Sequence, residues 1–174
     1  MNSITPATIG KIALAAVLCT AVVACSKKVK EEIPTDTTPS TQTTTTPTAP
    51  GAYGPEDLDT DACLRQRVVY FDFDQDNLRP EFQAIVACHA KYLRDRPTSR
   101  MTLEGNADER GSRAYNQGLG ERRGNSVSSA IQANGGSGGQ QTVVSYGEER
   151  PVCTESNEDC WARNRRVEIV YTAR

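Results

Sequence analysis

The chain has 174 residues, with 20 Lys and Arg against 22 Asp and Glu for a formal net charge of −2. That length allows one domain of ordinary size plus extensions, and the near balance of charge offers no face for nucleic acid. A single histidine, His89, leaves little room for histidine-based catalysis or a histidine-rich metal site, while six cysteines suit disulfides outside a reduced cytosol.

Residues 1–25 place Lys11 before an apolar run from Ile12 to Ala24. The run falls short of the roughly 20 residues of a membrane span and has the size of a signal-peptide core. It ends Val22-Val23-Ala24-Cys25, which resembles the bacterial lipobox. The resemblance implies a signal peptide over 1–24 and a lipidated Cys25, held by acyl chains such as palmitate at about 0.8 kcal/mol per buried CH₂. Cys19 fits poorly, because the large Leu18 precedes it. Ser26 follows Cys25; by the sorting rule in which Asp at that position retains a lipoprotein in the inner membrane, Ser points to the outer membrane.

Threonine and proline dominate residues 26–60, and large apolar side chains are nearly absent. Such a segment buries too little surface to offset chain entropy, so the sequence predicts a disordered tether over 25–60. Fully stretched it would reach at most roughly 120 Å, and as a flexible coil it would average about 30–35 Å.

The folded part is expected over 61–174. Arg67–Phe73 is rich in β-branched and aromatic residues and reads as a strand. After the polar turn Asp74–Asn77, Pro80 suits the first turn of a helix whose apolar face is Phe82, Ile85, Val86, His89, Tyr92 and Leu93, with Pro97 as its stop. Arg100–Glu104 is a second strand. Ser112 is placed to cap a second helix that runs to about Asn134, where Gly135–Gly139 ends it. Thr142–Tyr146 and Val167–Tyr171 complete the strands. Alternating strands and helices predict an α/β two-layer sandwich, βαβαββ, on a mixed sheet with its last strand antiparallel.

Asn116, Leu119, Arg123 and Val127 recur at spacings of one helical turn and share a face, which the two apolar members make the inward one. Arg123 is thus a cation beside the core that calls for an anionic partner or ligand. Asp108, in the charged turn before the helix, is the nearby carboxylate. The two charges read either as an internal salt bridge closing turn onto helix or as a receptor for a ligand carrying both an amine and a carboxylate.

His89 reads as a core histidine. The acidic turn Asp72–Asp76 lacks the glycine and terminal glutamate of a calcium-binding EF-hand, so no metal is assigned. Cys153 and Cys160 bracket a short polar loop, and a disulfide there would contribute about 2.5 kcal/mol. Cys63 and Cys88 could pin the entry of the domain to its first helix. A four-cysteine zinc site is the alternative, though the sequence has no CxxC pair.

Together, VVYFDFDQDNLRPEF, TLEGNADERGSRAYNQGLGERRGNSV, VVSYGEERP and NRRVEIVY resemble the OmpA-like C-terminal domain family, and within it the peptidoglycan-associated lipoproteins (Pal). The resemblance implies noncovalent binding to diaminopimelate in peptidoglycan stem peptides, with Asp108 meeting the side-chain ammonium and Arg123 the side-chain carboxylate. It places Phe73 and Asp74 on a second wall and has Asn116 and Leu119 shape the pocket. Asn106 stands where many relatives have His or Tyr. The implied role is an outer-membrane anchor on the periplasmic face, in the Tol–Pal system with TolB as partner, acting in cell division and envelope integrity. No catalytic residue and no cofactor are implied. The alternatives are an OmpA-like lipoprotein of a motility or secretion system, or a peptidoglycan-acting enzyme, for which the sequence offers no nucleophile–base pair.

Overall fold

A computed structural model of the chain describes residues 51–174. The signal peptide, Cys25 and the tether up to residue 50 lie outside the described residues.

Among the described residues, four α-helices and four strands make up the fold: α1 (Asp57–Thr60), β1 (Val68–Tyr70), α2 (Gln83–Asp95), β2 (Arg100–Asn106), α3 (Arg113–Ala133), β3 (Gln141–Gly147), α4 (Glu158–Asn164) and β4 (Arg166–Ala173). The strand order is β1-β4-β2-β3. β2 and β3 run parallel, and β4 lies between β1 and β2, antiparallel to both. This is the expected two-layer sandwich with a mixed sheet. α2 and α3 cover one face, and Val69, Leu103, Val127, Ile131, Val167 and Ile169 are among the fully enclosed side chains between the layers.

Local chemistry sets the helix ends. Pro80 sits in a single 3₁₀ turn, Pro80–Phe82, that leads into α2. The Ser112 side chain accepts from the Tyr115 N–H and caps α3, which Asn134 terminates. Gly120 and Gly124, one turn apart on α3, let that helix lie close on the sheet. A Cβ at Gly105 on β2 would overlap the Gly120 carbonyl, and one at Gly124 would meet Val143 Cγ1 at 2.5 Å.

The structure corrects the sequence reading in three places. β1 is only three residues long, because the chain leaves the sheet after Tyr70, although Phe71 stays buried and donates its N–H to the Arg165 carbonyl. Residues 51–60, read as the end of the tether, are part of the fold: Leu58 is buried with Leu64 and Tyr92, and the Tyr53 N–H donates to Asp95 at 2.9 Å. One buried leucine in a four-residue helix leaves no periodicity to detect. The loop between Cys153 and Cys160 contains the start of α4, capped by the Asn157 side chain on the Cys160 N–H. Asn157 followed by Glu158 and Asp159 is a helix-start signal that the short apolar pattern concealed.

Both expected disulfides are present, Cys63–Cys88 and Cys153–Cys160. His89 is a buried core histidine: Nε2 lies 3.0 Å from the Gln66 carbonyl and Nδ1 2.8 Å from the Tyr171 hydroxyl. A carbonyl only accepts, so Nε2 carries the proton and Nδ1 accepts from Tyr171.

Candidate functional site

The candidate site is a cleft of about 250 Å³ between the β1–α2 loop, the β2–α3 turn and the first turns of α3. It is lined by Phe73, Asp74, Asp108, Arg110, Gly111, Tyr115, Asn116 and Leu119. Five of the six residues expected to bind ligand are therefore gathered around one cavity. Phe73 is 55% exposed, a large apolar side chain left open to solvent at the rim. Its neighbour Asp74 adopts a left-handed backbone, φ 57°, a conformation Asp tolerates better than most residues, and accepts from the Tyr115 hydroxyl.

Arg123, the sixth, is placed otherwise. It is fully buried and does not line the cleft. Its Nε donates to the Gln75 carbonyl at 2.8 Å, Nη1 to that of Asn106 at 2.9 Å and Nη2 to that of Asp72 at 3.1 Å. The salt bridge to Asp108, one of the two readings of this pair, is replaced by three backbone oxygens, from the β1–α2 loop and the end of β2. A guanidinium suits this task because its rigid, planar donors meet carbonyls that helix or sheet would otherwise satisfy. Burial and the nearby Arg165 lower its pKa to about 10, against the pull of Asp108, Asp76 and Asp74, so it stays charged at neutral pH. Arg123 braces the walls of the cleft from behind.

Asp108 pairs instead with two other arginines. Its Oδ2 lies 2.7 Å from Arg110 Nη2 and 3.3 Å from Arg165 Nη1, and its Oδ1 accepts from the Arg110 backbone N–H at 3.0 Å. Asp108 is only 4% exposed. Burial raises its pKa, but the hydrogen bonds from Arg110 and Arg165 outweigh that effect and hold the carboxyl below its ordinary value. Arg165, buried just before β4, also donates to the Phe71 carbonyl and to Glu158. Asn116 donates to the Asp108 carbonyl at 3.1 Å and also to Glu148. Asn106 is buried and donates to the Glu104 carbonyl, and its own carbonyl is the one that receives Arg123.

Sequence reasoning missed Arg110, Gly111 and Tyr115. Arg110 is the cation that the cleft presents: its guanidinium carbon lies 4.0 Å from the centre of the Phe73 ring and 4.2 Å from that of Trp161. The alternation Asp108-Glu109-Arg110 and the single tryptophan were visible signals, but nothing local in sequence joins Trp161 to a turn 51 residues earlier.

The OmpA family model matches residues 70–165, a span that contains every residue of this cleft. A peptidoglycan-associated lipoprotein of Pseudomonas putida is 47% identical over 113 residues, 64% of this chain and 68% of the relative. The chain belongs to the OmpA family, among its peptidoglycan-associated lipoproteins. One from Pasteurella multocida is 39% identical, covering 70% of this chain and 78% of the relative. The crystal structure of the peptidoglycan-associated lipoprotein of Burkholderia pseudomallei matches with a TM-score of 0.65 and 39% identity, over 67% of this chain and 98% of that one. This kinship makes the chain a lipoprotein of the bacterial envelope. The relatives bear the name peptidoglycan-associated lipoprotein, which is not that of an enzyme.

Proposed function

We propose that the chain is a noncatalytic anchor that grips the diaminopimelate side chain of peptidoglycan in the cleft at Asp108. The observation that carries this reading is the pairing, in one cavity, of two carboxylates and a half-buried guanidinium around an apolar wall. Asp108 and Asp74 face a ligand ammonium, Arg110, its Nε and Nη2 held by Asp108, brings its positive charge to the ligand carboxylate, and Phe73 and Leu119 cover the methylenes. Charge-assisted interactions of this kind are the strong ones. The carboxylate contact first assigned to Arg123 passes to Arg110, while Arg123 holds the site in shape and adds positive potential behind it.

The finer biology rests on kinship and on the N-terminal sequence. Acyl chains on Cys25 hold the protein in the outer membrane with its domain in the periplasm, and the tether lets the domain reach the wall. Its partners are peptidoglycan and, within the Tol–Pal system that supports division and envelope integrity, TolB.

The test is cosedimentation of the full chain with isolated walls. It pellets with diaminopimelate-type walls and not with lysine-type walls, which lack the second carboxylate. Asp108→Ala weakens binding roughly 10- to 100-fold. Equal pelleting with both wall types, or unchanged binding by Asp108→Ala, refutes the site. Loss of turbidity when the protein meets walls would instead reveal an enzyme.

A further inference from the structure

From the geometry around α4 we infer that Trp161, held by the Cys153–Cys160 disulfide loop, is a positioning residue that fixes the Arg110 guanidinium for wall binding. The inference rests on the wall-binding reading of the cleft, but none of that cleft's lining comes from α4.

The loop is a closed unit. The disulfide joins residues seven apart, and Asn164 ties both ends together: its Oδ1 accepts from the Val152 and Cys153 N–H groups and its Nδ2 donates to the Cys153 carbonyl at 2.7 Å. Cys160 is buried, and its Sγ accepts from the Glu155 N–H. Trp161, next in the chain, inherits a fixed position.

The same unit clamps the turn that carries Arg110. Trp161 Nε1 donates to Glu109 Oε1 at 2.9 Å, and Ser156 Oγ donates to the same oxygen at 2.7 Å. Glu158 accepts from Arg165 at 2.7 Å and lies 3.5 Å from Arg110 Nη1. Arg110 is then stacked between Phe73, which belongs to the cleft, and Trp161, which does not. A long side chain with several rotamers loses much of its freedom in such a sandwich before any ligand arrives. Pre-ordering of that kind raises affinity without a new ligand contact.

The experiment measures binding of the full chain to diaminopimelate-type walls, with a melting curve for each variant to establish that it is folded at the assay temperature. Trp161→Ala weakens binding about fivefold. Trp161→Phe, which keeps a ring over the guanidinium but loses the hydrogen bond to Glu109, recovers to within about twofold of the parent. Replacing Cys153 and Cys160 together by Ser, which leaves Cys63–Cys88 intact, weakens binding about threefold. Because the chain contains one tryptophan, its emission reports on this position alone. Titrating a stem tripeptide containing diaminopimelate shifts that emission in the parent and not in Asp108→Ala. Parental binding by Trp161→Ala or by the cysteine pair, or equal weakness of Trp161→Phe and Trp161→Ala, overturns the positioning role. If the unaltered chain ignores these walls, it is the wall-binding reading that fails. If Asp108→Ala loses binding and Trp161→Ala keeps it, only the present inference falls.

Discussion

Two regions of this domain each combine a disulfide with buried polar groups, and they put the combination to opposite uses. Around Cys63–Cys88, α1 and the segment before β1 close over α2, and every polar atom of His89 is matched within the protein. Around Cys153–Cys160, a much shorter loop leaves its neighbour open: Phe73 is exposed, and Arg110 and Asp108 line a cavity. The lesson is that the staple does not distinguish a structural region from a binding one. What separates them is whether the polar groups are enclosed by the core or border an open cleft.

The largest expected effect breaks the open region from behind. Arg123→Ala leaves three backbone carbonyls without their buried donor and costs about 3–5 kcal/mol of stability in urea unfolding. Arg123→Lys recovers only part of this, because an ammonium cannot present a planar fork to three oxygens. If Arg123→Ala instead unfolds like the parent and loses only wall binding, Arg123 contacts ligand directly and the bracing role is wrong.

At the closed region, replacing Cys63 and Cys88 by Ser should cost about 3.5 kcal/mol, since the bridge spans 25 residues of chain. Wall binding by the folded fraction stays at the parental level. A change in affinity would show that the two regions are coupled.

Acid should open the closed region next. Burial lowers the His89 pKa from 6.5 to about 4. The unfolded chain therefore takes up this proton first as pH falls. The stability contributed by the neutral imidazole is complete above about pH 6.5 and declines down to about pH 4, a loss of about 3 kcal/mol. His89→Gln, less stable at neutral pH, flattens the slope of unfolding free energy across that window. An unchanged slope would mean that His89 titrates normally in the fold. Tyr171 beside it is pushed upward, chiefly by burial, and keeps its hydroxyl proton throughout.

Much of the frame was legible because it depends on short-range chemistry. The helix carrying Arg123 followed from Ser112 at its start, the glycines beyond Asn134 and an inward face that is buried at all four expected positions, Asn116, Leu119, Arg123 and Val127. Asp108 came from its place in the charged turn before that helix, Phe73 and Asp74 from the family resemblance, and the three do share a cavity. Arg110 and Trp161 were not found, because their stacking is a contact between a turn and a helix far apart in the chain. The protein groups that hold Arg123 were hidden for a related reason. Periodicity reports that a cation faces inward, but three carbonyls satisfy it as well as a carboxylate does, and carbonyls are present at every residue.

The sequence by itself determined the strands, the two long helices and their capped ends, because these follow from side-chain period and cap chemistry. Only the tertiary structure decided which charges meet. Asp108 turned from Arg123 to Arg110 and Arg165, and Arg165 reaches it because β4 enters the sheet between β1 and β2. Ion pairing acts over a few ångströms, whereas the order of strands is set by the packing of the whole core.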